Sequence, residues 1–207
     1  MALICLAVEK NVSLRRVNDT CMDKRLYIVA GCNGAGKTTA SFTLLPEIWD
    51  CNEFVNADEI ARGLSPLNPE SVAVQAGRIM LARIDELLRQ GKTFSIETTL
   101  ATRSYVHLIK KAHAKGYVVH LLFFWLNSPE VAIQRVAKRV SEGGHNIPSD
   151  IVRRRYNLGI ANFFNLYKDI VDTWMLVDNA SNPRVIVATE ERIIEVKRYK
   201  QIQNYVK

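Results

Sequence analysis

Cysteine is scarce in this chain. The four residues, Cys5, Cys21, Cys32 and Cys51, form no C-x-x-C pair and have no histidine at zinc-site spacing, which argues against a disulfide framework and against a structural zinc centre. Reduced thiols are expected. Long apolar runs are missing too. The longest, residues 117–126, is interrupted by His120 and falls well short of the roughly eighteen residues that a membrane span needs. Residues 1–8 are apolar but carry neither a preceding basic region nor a small-residue cleavage site, so a cytoplasmic location is expected rather than secretion. Internal repeats and low-complexity stretches are absent. Acidic residues are in deficit, 21 Asp and Glu against 28 Lys and Arg, for a net charge of +7. That balance suits a nucleic-acid binder, and equally an enzyme that gathers cations around a polyphosphate, so charge alone does not choose.

What is present is the composition of an ordinary globular domain: 207 residues, 48% hydrophobic and 24% charged, enough to bury one full core. From residue 26 onward short apolar runs alternate with longer amphipathic ones, the pattern of βα units and a mostly parallel sheet. Strands are expected at residues 26–30, 53–56, 93–97, 118–125 and 174–177. Helices are expected near 37–45, 69–90, 103–115, 129–141 and 148–167, several opened by Ser-Pro, Asn-Pro or Ile-Pro. The fold class is α/β, with three layers and about five strands. Residues 184–187 and 192–196 read as a hairpin, ahead of a basic tail that is helical or frayed. The expected organisation is an N-terminal extension over 1–24 (or a mis-assigned start, since Met22 directly precedes the first strand), a main domain over 25–190, and the basic tail over 191–207.

Gly31-Cys32-Asn33-Gly34-Ala35-Gly36-Lys37-Thr38 fits G-x-x-x-x-G-K-[ST], with Thr39 following, and stands between an expected strand and an expected helix. Glycines let the backbone turn its N–H groups inward, and the helix N-terminus adds positive dipole. Lys37 reaches the β and γ phosphates, and Thr38 ligates Mg²⁺. The main domain therefore reads as a P-loop NTPase fold that binds ATP.

Phe54-Val55-Asn56-Ala57-Asp58 places a carboxylate just past a strand, on the sheet edge where the cradle lies. Asp58 either serves as the base that a kinase acceptor hydroxyl needs or caps the helix that follows. Ser95-Ile96-Glu97-Thr98-Thr99 delivers Glu97 to the same edge, to hold Mg²⁺ through water, to bind substrate, or to neutralise an arginine, while Thr99 or Thr102 is a candidate cap. No N-K-x-D motif of a GTPase is present. The segment 134–156 joins two arginine-bearing helices through Gly143-Gly144-His145, with Arg135 and Arg139 four apart and Arg153, Arg154 and Arg155 beyond. It reads as a lid that brings guanidinium groups to a transferring phosphoryl. The helically spaced Tyr156, Phe163, Phe164 and Tyr167 read as core rather than a stacking platform.

Together the P-loop from Gly31 to Thr39, the Asn56-Ala57-Asp58 turn, the strand end Glu97-Thr98-Thr99-Leu100 and the loop Gly143-Gly144-His145-Asn146-Ile147-Pro148 resemble the zeta-toxin family. The resemblance implies an ATP- and Mg²⁺-dependent kinase acting on a hydroxyl, and the best-known members phosphorylate the sugar of UDP-N-acetylglucosamine. By that pattern Lys37 corresponds to the P-loop lysine, Asp58 to the catalytic aspartate and Arg139 to a lid arginine, while Glu97 and Thr99 match positions lining the acceptor pocket. Two positions depart from it: Leu81 stands where an additional acceptor-binding carboxylate is placed, and His145 where a second lid arginine is. Two rivals stay open. One is a nucleotide or polynucleotide-end kinase; the other is a non-catalytic ATP-binding module whose basic tail docks an acidic partner such as an antitoxin.

Overall fold

The computed structural model describes residues 24–144 and 146–206. Nearly all of the expected extension, with Cys5 and Cys21, and the His145 position lie outside the described residues.

A six-stranded sheet forms the middle of three layers, in the order β2-β3-β1-β4-β5-β6. Its strands are β1 (Lys24–Gly31), β2 (Phe54–Val55), β3 (Phe94–Thr98), β4 (Tyr117–Trp125), β5 (Thr173–Asp178) and β6 (Val185–Thr189). All neighbours pair in parallel except β6, which runs antiparallel on the edge beside β5. Seven α-helices are seen among the described residues: α1 (Lys37–Ile48), α2 (Ala57–Leu64), α3 (Ala73–Gln90), α4 (Tyr105–Ala114), α5 (Pro129–Ser141), α6 (Ser149–Asn162) and α7 (Val196–Asn204). None of them is long and apolar enough to cross a membrane.

The continuous apolar run Leu26-Tyr27-Ile28-Val29-Ala30 is what a strand buried on both faces requires, and β1 is buried from Leu26 to its end. Each such Leu or Ile contributes about 1.5–3 kcal/mol. With β3 on one side of β1 and β4 on the other, the chain leaving β1 crosses over β3 to reach β2, and only later returns to β4. Strand order therefore reverses at β1, and a crevice opens beyond its carboxyl end. The P-loop occupies that point.

Several expectations are corrected. The sheet has six strands rather than about five. The helix expected over 69–90 divides into a 3₁₀ turn, Pro69–Val72, and α3. The helix expected over 148–167 ends at Asn162 and continues as a π turn, Phe163–Tyr167, whose wider winding packs Phe163, Phe164 and Tyr167 into the core beside Tyr156. The expected hairpin is cut short to a single antiparallel bridge. β6 pairs instead with β5, and residues 192–196 make one bridge, Ala188 to Ile193, before the chain turns into α7. Within α7 Ile202 is fully buried and Arg198 lies 3.2 Å from the buried Asp178, so the basic tail carries a helix docked on the body.

Cys32 and Cys51 are buried, and loss of solvation pushes each thiol from 9.0 up to about 11. Alkylation of these two residues at pH 8 is expected to be slow in the native protein and fast in denaturant, as peptide mapping would show. The folded chain keeps these protons at a pH where the unfolded chain has lost them. Stability is therefore present below about pH 9 and falls as pH rises toward 11, a loss that thermal melts across that window would detect.

Candidate active site

The P-loop turns as the motif requires. Gly34 and Gly36 have φ of 78° and 79°, a region closed to most side chains. Space is equally short: a Cβ on Gly34 would lie 2.8 Å from the carbonyl oxygen of Ala132, and one on Gly36 would lie 2.6 Å from Asn179 Nδ2. Lys37, only 6% exposed, donates to the carbonyl of Cys32 at 3.0 Å and faces Glu97 across 3.5 Å.

Glu97 is where the elements meet. Its Oε2 accepts from Thr38 Oγ1 at 2.8 Å and from Asn56 Nδ2 at 2.9 Å, while Oε1 faces Lys37. One carboxylate at the end of β3 thus ties the P-loop, α1 and the start of α2 together. Glu97 neutralises a lysine rather than an arginine.

Asn56 also settles the capping of α2. Its side chain accepts from the backbone N–H of Asp58 at 2.8 Å, which makes Asn56 the N-cap and places Asp58 in the first turn. The Asp58 carboxylate is therefore not spent on capping; it makes no side-chain hydrogen bond or ion pair among the described residues and lines the cleft. Thr99 and Thr102 do not cap α4, whose N-cap is Ser104. Thr99 is not among the residues lining the cleft; its carbonyl oxygen sits against Gly159 of α6.

The cleft measures about 670 Å³. It brings together Asn33, Gly34, Gly36, Lys37, Thr38 and Thr39 of the cradle with Asp58, Glu97 and Arg139, whereas Gly31 and Ala35 are buried behind the lining. Leu81 points to solvent at 62% exposure on α3, and other carboxylates, Glu59 and Glu70, occupy the wall beyond Asp58.

Arg139 reaches the cleft from the last turn of α5. Gly143 (φ 85°) follows the C-cap Glu142; its N–H bonds to Val140 O at 3.0 Å, and the N–H of Gly144 bonds to Arg139 O at 2.8 Å. This double closure is a Schellman motif. A Cβ on Gly144 would lie 2.5 Å from Arg139 Cγ. Gly144→Ala is therefore expected to displace Arg139 and lower turnover by about tenfold, equivalent to about 1.4 kcal/mol of barrier, with a much smaller change in melting temperature than in rate. Steady-state kinetics beside a thermal melt would check this.

Further contacts brace the cradle from behind. Asn179, just past β5, donates to Ala35 O at 2.6 Å and accepts from Arg184 Nε at 2.6 Å and, through its carbonyl, from Arg135 at 2.9 Å. Burial and the neighbouring Arg135 charge lower the Arg184 pKa. Arg155 of α6 donates to Asn33 Oδ1 at 3.1 Å. Asn56, Asn179 and Arg184 were not singled out by the sequence pattern. Asn56 carried a signal, since Asn before Ala-Asp-Glu at the start of a helix is a favoured cap.

Strand-flanked phosphate cradle, carboxylates at the same sheet edge and an arginine-bearing helical lid define a P-loop nucleotide-binding protein of the kinase type. The chain belongs to the Zeta toxin family, whose profile matches residues 9–186. A relative in Haemophilus influenzae, an uncharacterised protein, is 34% identical over 137 residues, covering 65% of this chain and 94% of the relative. Among solved structures, the AvrRxo1-ORF1:-ORF2 complex with ATP superposes with a TM-score of 0.69 at 18% identity, over 96% of this chain and 67% of the other. The PezAT chromosomal toxin–antitoxin system of Streptococcus pneumoniae gives 0.62 at 17%, over 97% and 93%. A putative kinase from Chloroflexus aurantiacus gives 0.61 at 15%, over 90% and 100%. At these identities the likeness is one of fold.

Proposed function

We propose that the chain transfers the γ-phosphoryl group of ATP to a hydroxyl of a small molecule. The observation that carries this is the pairing, in one cleft, of a P-loop lysine with a carboxylate, Asp58, that neither caps its helix nor joins an ion pair among the described residues. In support, the AvrRxo1 structure of the same fold was solved with ATP.

The geometry supports the following roles. Backbone N–H groups of residues 33–38 and the N-terminus of α1 hold the triphosphate, with Lys37 at its β and γ oxygens. The hydroxyl of Thr38 and the carboxylate of Glu97, 2.8 Å apart, form an all-oxygen donor pair that fits a hard cation such as Mg²⁺. When bound, that ion would neutralise charge on the phosphate oxygens. Asp58 orients the acceptor hydroxyl and takes its proton as the new P–O bond forms and the bond to the β-phosphate oxygen breaks, releasing ADP. Arg139 stabilises the charge that spreads over the transferred group. Thr99 acts on the acceptor only indirectly, through the loop it occupies.

The family resemblance offers a UDP-sugar, UDP-N-acetylglucosamine first, as the acceptor to try, and the pneumococcal toxin–antitoxin structure motivates an antitoxin partner. Nucleic acid is disfavoured as substrate because no aromatic ring lines the cleft among the described residues. Incubation with Mg-ATP and a panel of UDP-sugars, nucleosides and RNA ends, read by mass spectrometry, tests the proposal. A phosphorylated small molecule is expected; phosphate appearing on RNA ends alone would overturn it.

A further inference from the structure

Asn179, just past β5 and only 8% exposed, spends each of its polar groups on a different element around the cradle. Its backbone N–H donates to Trp125 O at the end of β4, and its backbone carbonyl accepts from Arg135 of α5, both at 2.9 Å. Its side-chain amide donates through Nδ2 to Ala35 O of the P-loop and accepts at Oδ1 from Arg184 Nε, both at 2.6 Å. These partners leave the amide one orientation. A guanidinium only donates and a carbonyl only accepts, so turning the amide over would set oxygen against oxygen and donor against donor.

The bond to Ala35 acts on the group across the peptide. A trans peptide points its C=O and the following N–H to opposite sides, and the Ala35–Gly36 peptide is trans. Ala35 O is held toward Asn179, and neither residue lines the cleft, whereas Gly36 does. The N–H of Gly36 is thereby turned to the cleft side, where it takes no hydrogen-bond partner among the described residues. Glycine tolerates φ of either sign, so this peptide could turn over at little steric cost and present its carbonyl oxygen to an anion instead. The Asn179 amide opposes that turn. It reaches Ala35 O because Gly36 has no Cβ, which would lie 2.6 Å from Nδ2.

Resting on the phosphotransferase function proposed above, the geometry points to Asn179 as a positioning residue that, by holding Ala35 O, aims the Gly36 N–H at the phosphates of bound ATP. It acts through the peptide and does not itself line the cleft. Arg184, by occupying Oδ1, keeps the donating side of the amide on the P-loop.

Asn179→Asp tests this in the full chain, because it keeps an acceptor for Arg184 and replaces the donor to Ala35 O with an oxygen that repels it. The dissociation constant for Mg-ADP and the KM for ATP are expected to rise at least about tenfold, as for loss of a hydrogen bond to a charged group, with a smaller fall in kcat and a melt that stays cooperative. A direct reading comes from NMR of protein labelled with ¹³C-carbonyl alanine and ¹⁵N-glycine, in which only the Ala-Gly pairs ending in Gly31, Gly36 and Gly77 give correlated signals. In the wild type, saturating Mg-ADP should move the Gly36 amide proton downfield, as a charge-assisted bond does; in Asn179→Asp that movement should be lost. If the variant binds Mg-ADP as the wild type does, or binds it less tightly while the Gly36 proton still moves in full, Asn179 is only a brace and the proposal falls. A Gly36 proton that stays put in wild-type protein saturated with Mg-ADP would overturn it without any variant. Each of these results leaves the kinase function standing. Wild-type protein that is folded and binds no Mg-ADP would remove both.

Discussion

Replacing Asp58 by alanine is expected to cut phosphoryl transfer by about a hundred- to ten-thousandfold, the range over which positioned acid–base groups act, while Mg-ATP affinity stays close to that of the wild type. The split follows from position. Asp58 lines the cleft from the first turn of α2, on a different element from the phosphate cradle, so its loss leaves the cradle's donors in place. Unfolding does not mimic this result. The carboxylate sits at the positive end of a helix dipole, a contribution of about 0.3–1 kcal/mol, and the cap itself is supplied by Asn56. Asp58→Asn, which keeps the shape and removes the basicity, should lose nearly as much turnover. If either variant transferred phosphate at the wild-type rate, the base would have to be sought elsewhere, and Glu97, committed to Lys37, Thr38 and Asn56, is poorly placed to replace it.

Lys37→Ala should weaken both binding and turnover. Removing a buried ammonium takes away a charge-assisted bond to phosphate and, in the same stroke, the cation opposite Glu97, whose side chain is only 9% exposed. A loss of about ten- to a hundredfold in Mg-ATP affinity, about 1.4–2.8 kcal/mol, is expected. A further loss of about a hundred- to a thousandfold in turnover should accompany it, since the ammonium also faces charge that grows in the transition state. In the opposite variant, Glu97→Gln, the hydrogen bonds from Thr38 and Asn56 keep an acceptor, but the buried Lys37 ammonium loses its counter-charge, so a fall in thermal stability is expected. Single-turnover kinetics together with equilibrium binding separate the two effects for each variant.

Which parts of this site can be read from the chain depends on how local their physics is. The P-loop is a short-range device: eight consecutive residues carry the glycine conformations, the lysine and the hydroxyl, and strand and helix flank them as the apolar pattern indicates. Asp58 and Glu97 were legible for a related reason, since a carboxylate directly after an apolar strand must emerge at the sheet edge where the cradle is. The choice between base and cap for Asp58 was left open by the pattern, because both Asn56 and Asp58, two residues apart, are favoured caps and only the structure shows which one the helix start engages. Asn179 could not be seen from pattern, and Arg155, legible as a lid arginine, could not be matched to its partner: Ala35 and Asn33, which they contact, lie 144 and 122 residues away in sequence. The shortness of the hairpin has a local cause. Residues 192–196 are β-branched enough to suggest a strand, yet Ile194 and Glu195 both direct their N–H groups to the single carbonyl of Val187, and the chain then uses Tyr199 and Ile202 to pack a helix on the body.

The central claim is that the described cleft grips the triphosphate of ATP through the P-loop, and calorimetric titration of Mg-ATP into the folded protein tests it most directly. One site per chain with saturable heat, weakened in Lys37→Ala, is the predicted result. Absence of heat from a protein shown by circular dichroism and a cooperative melt to be folded would contradict it.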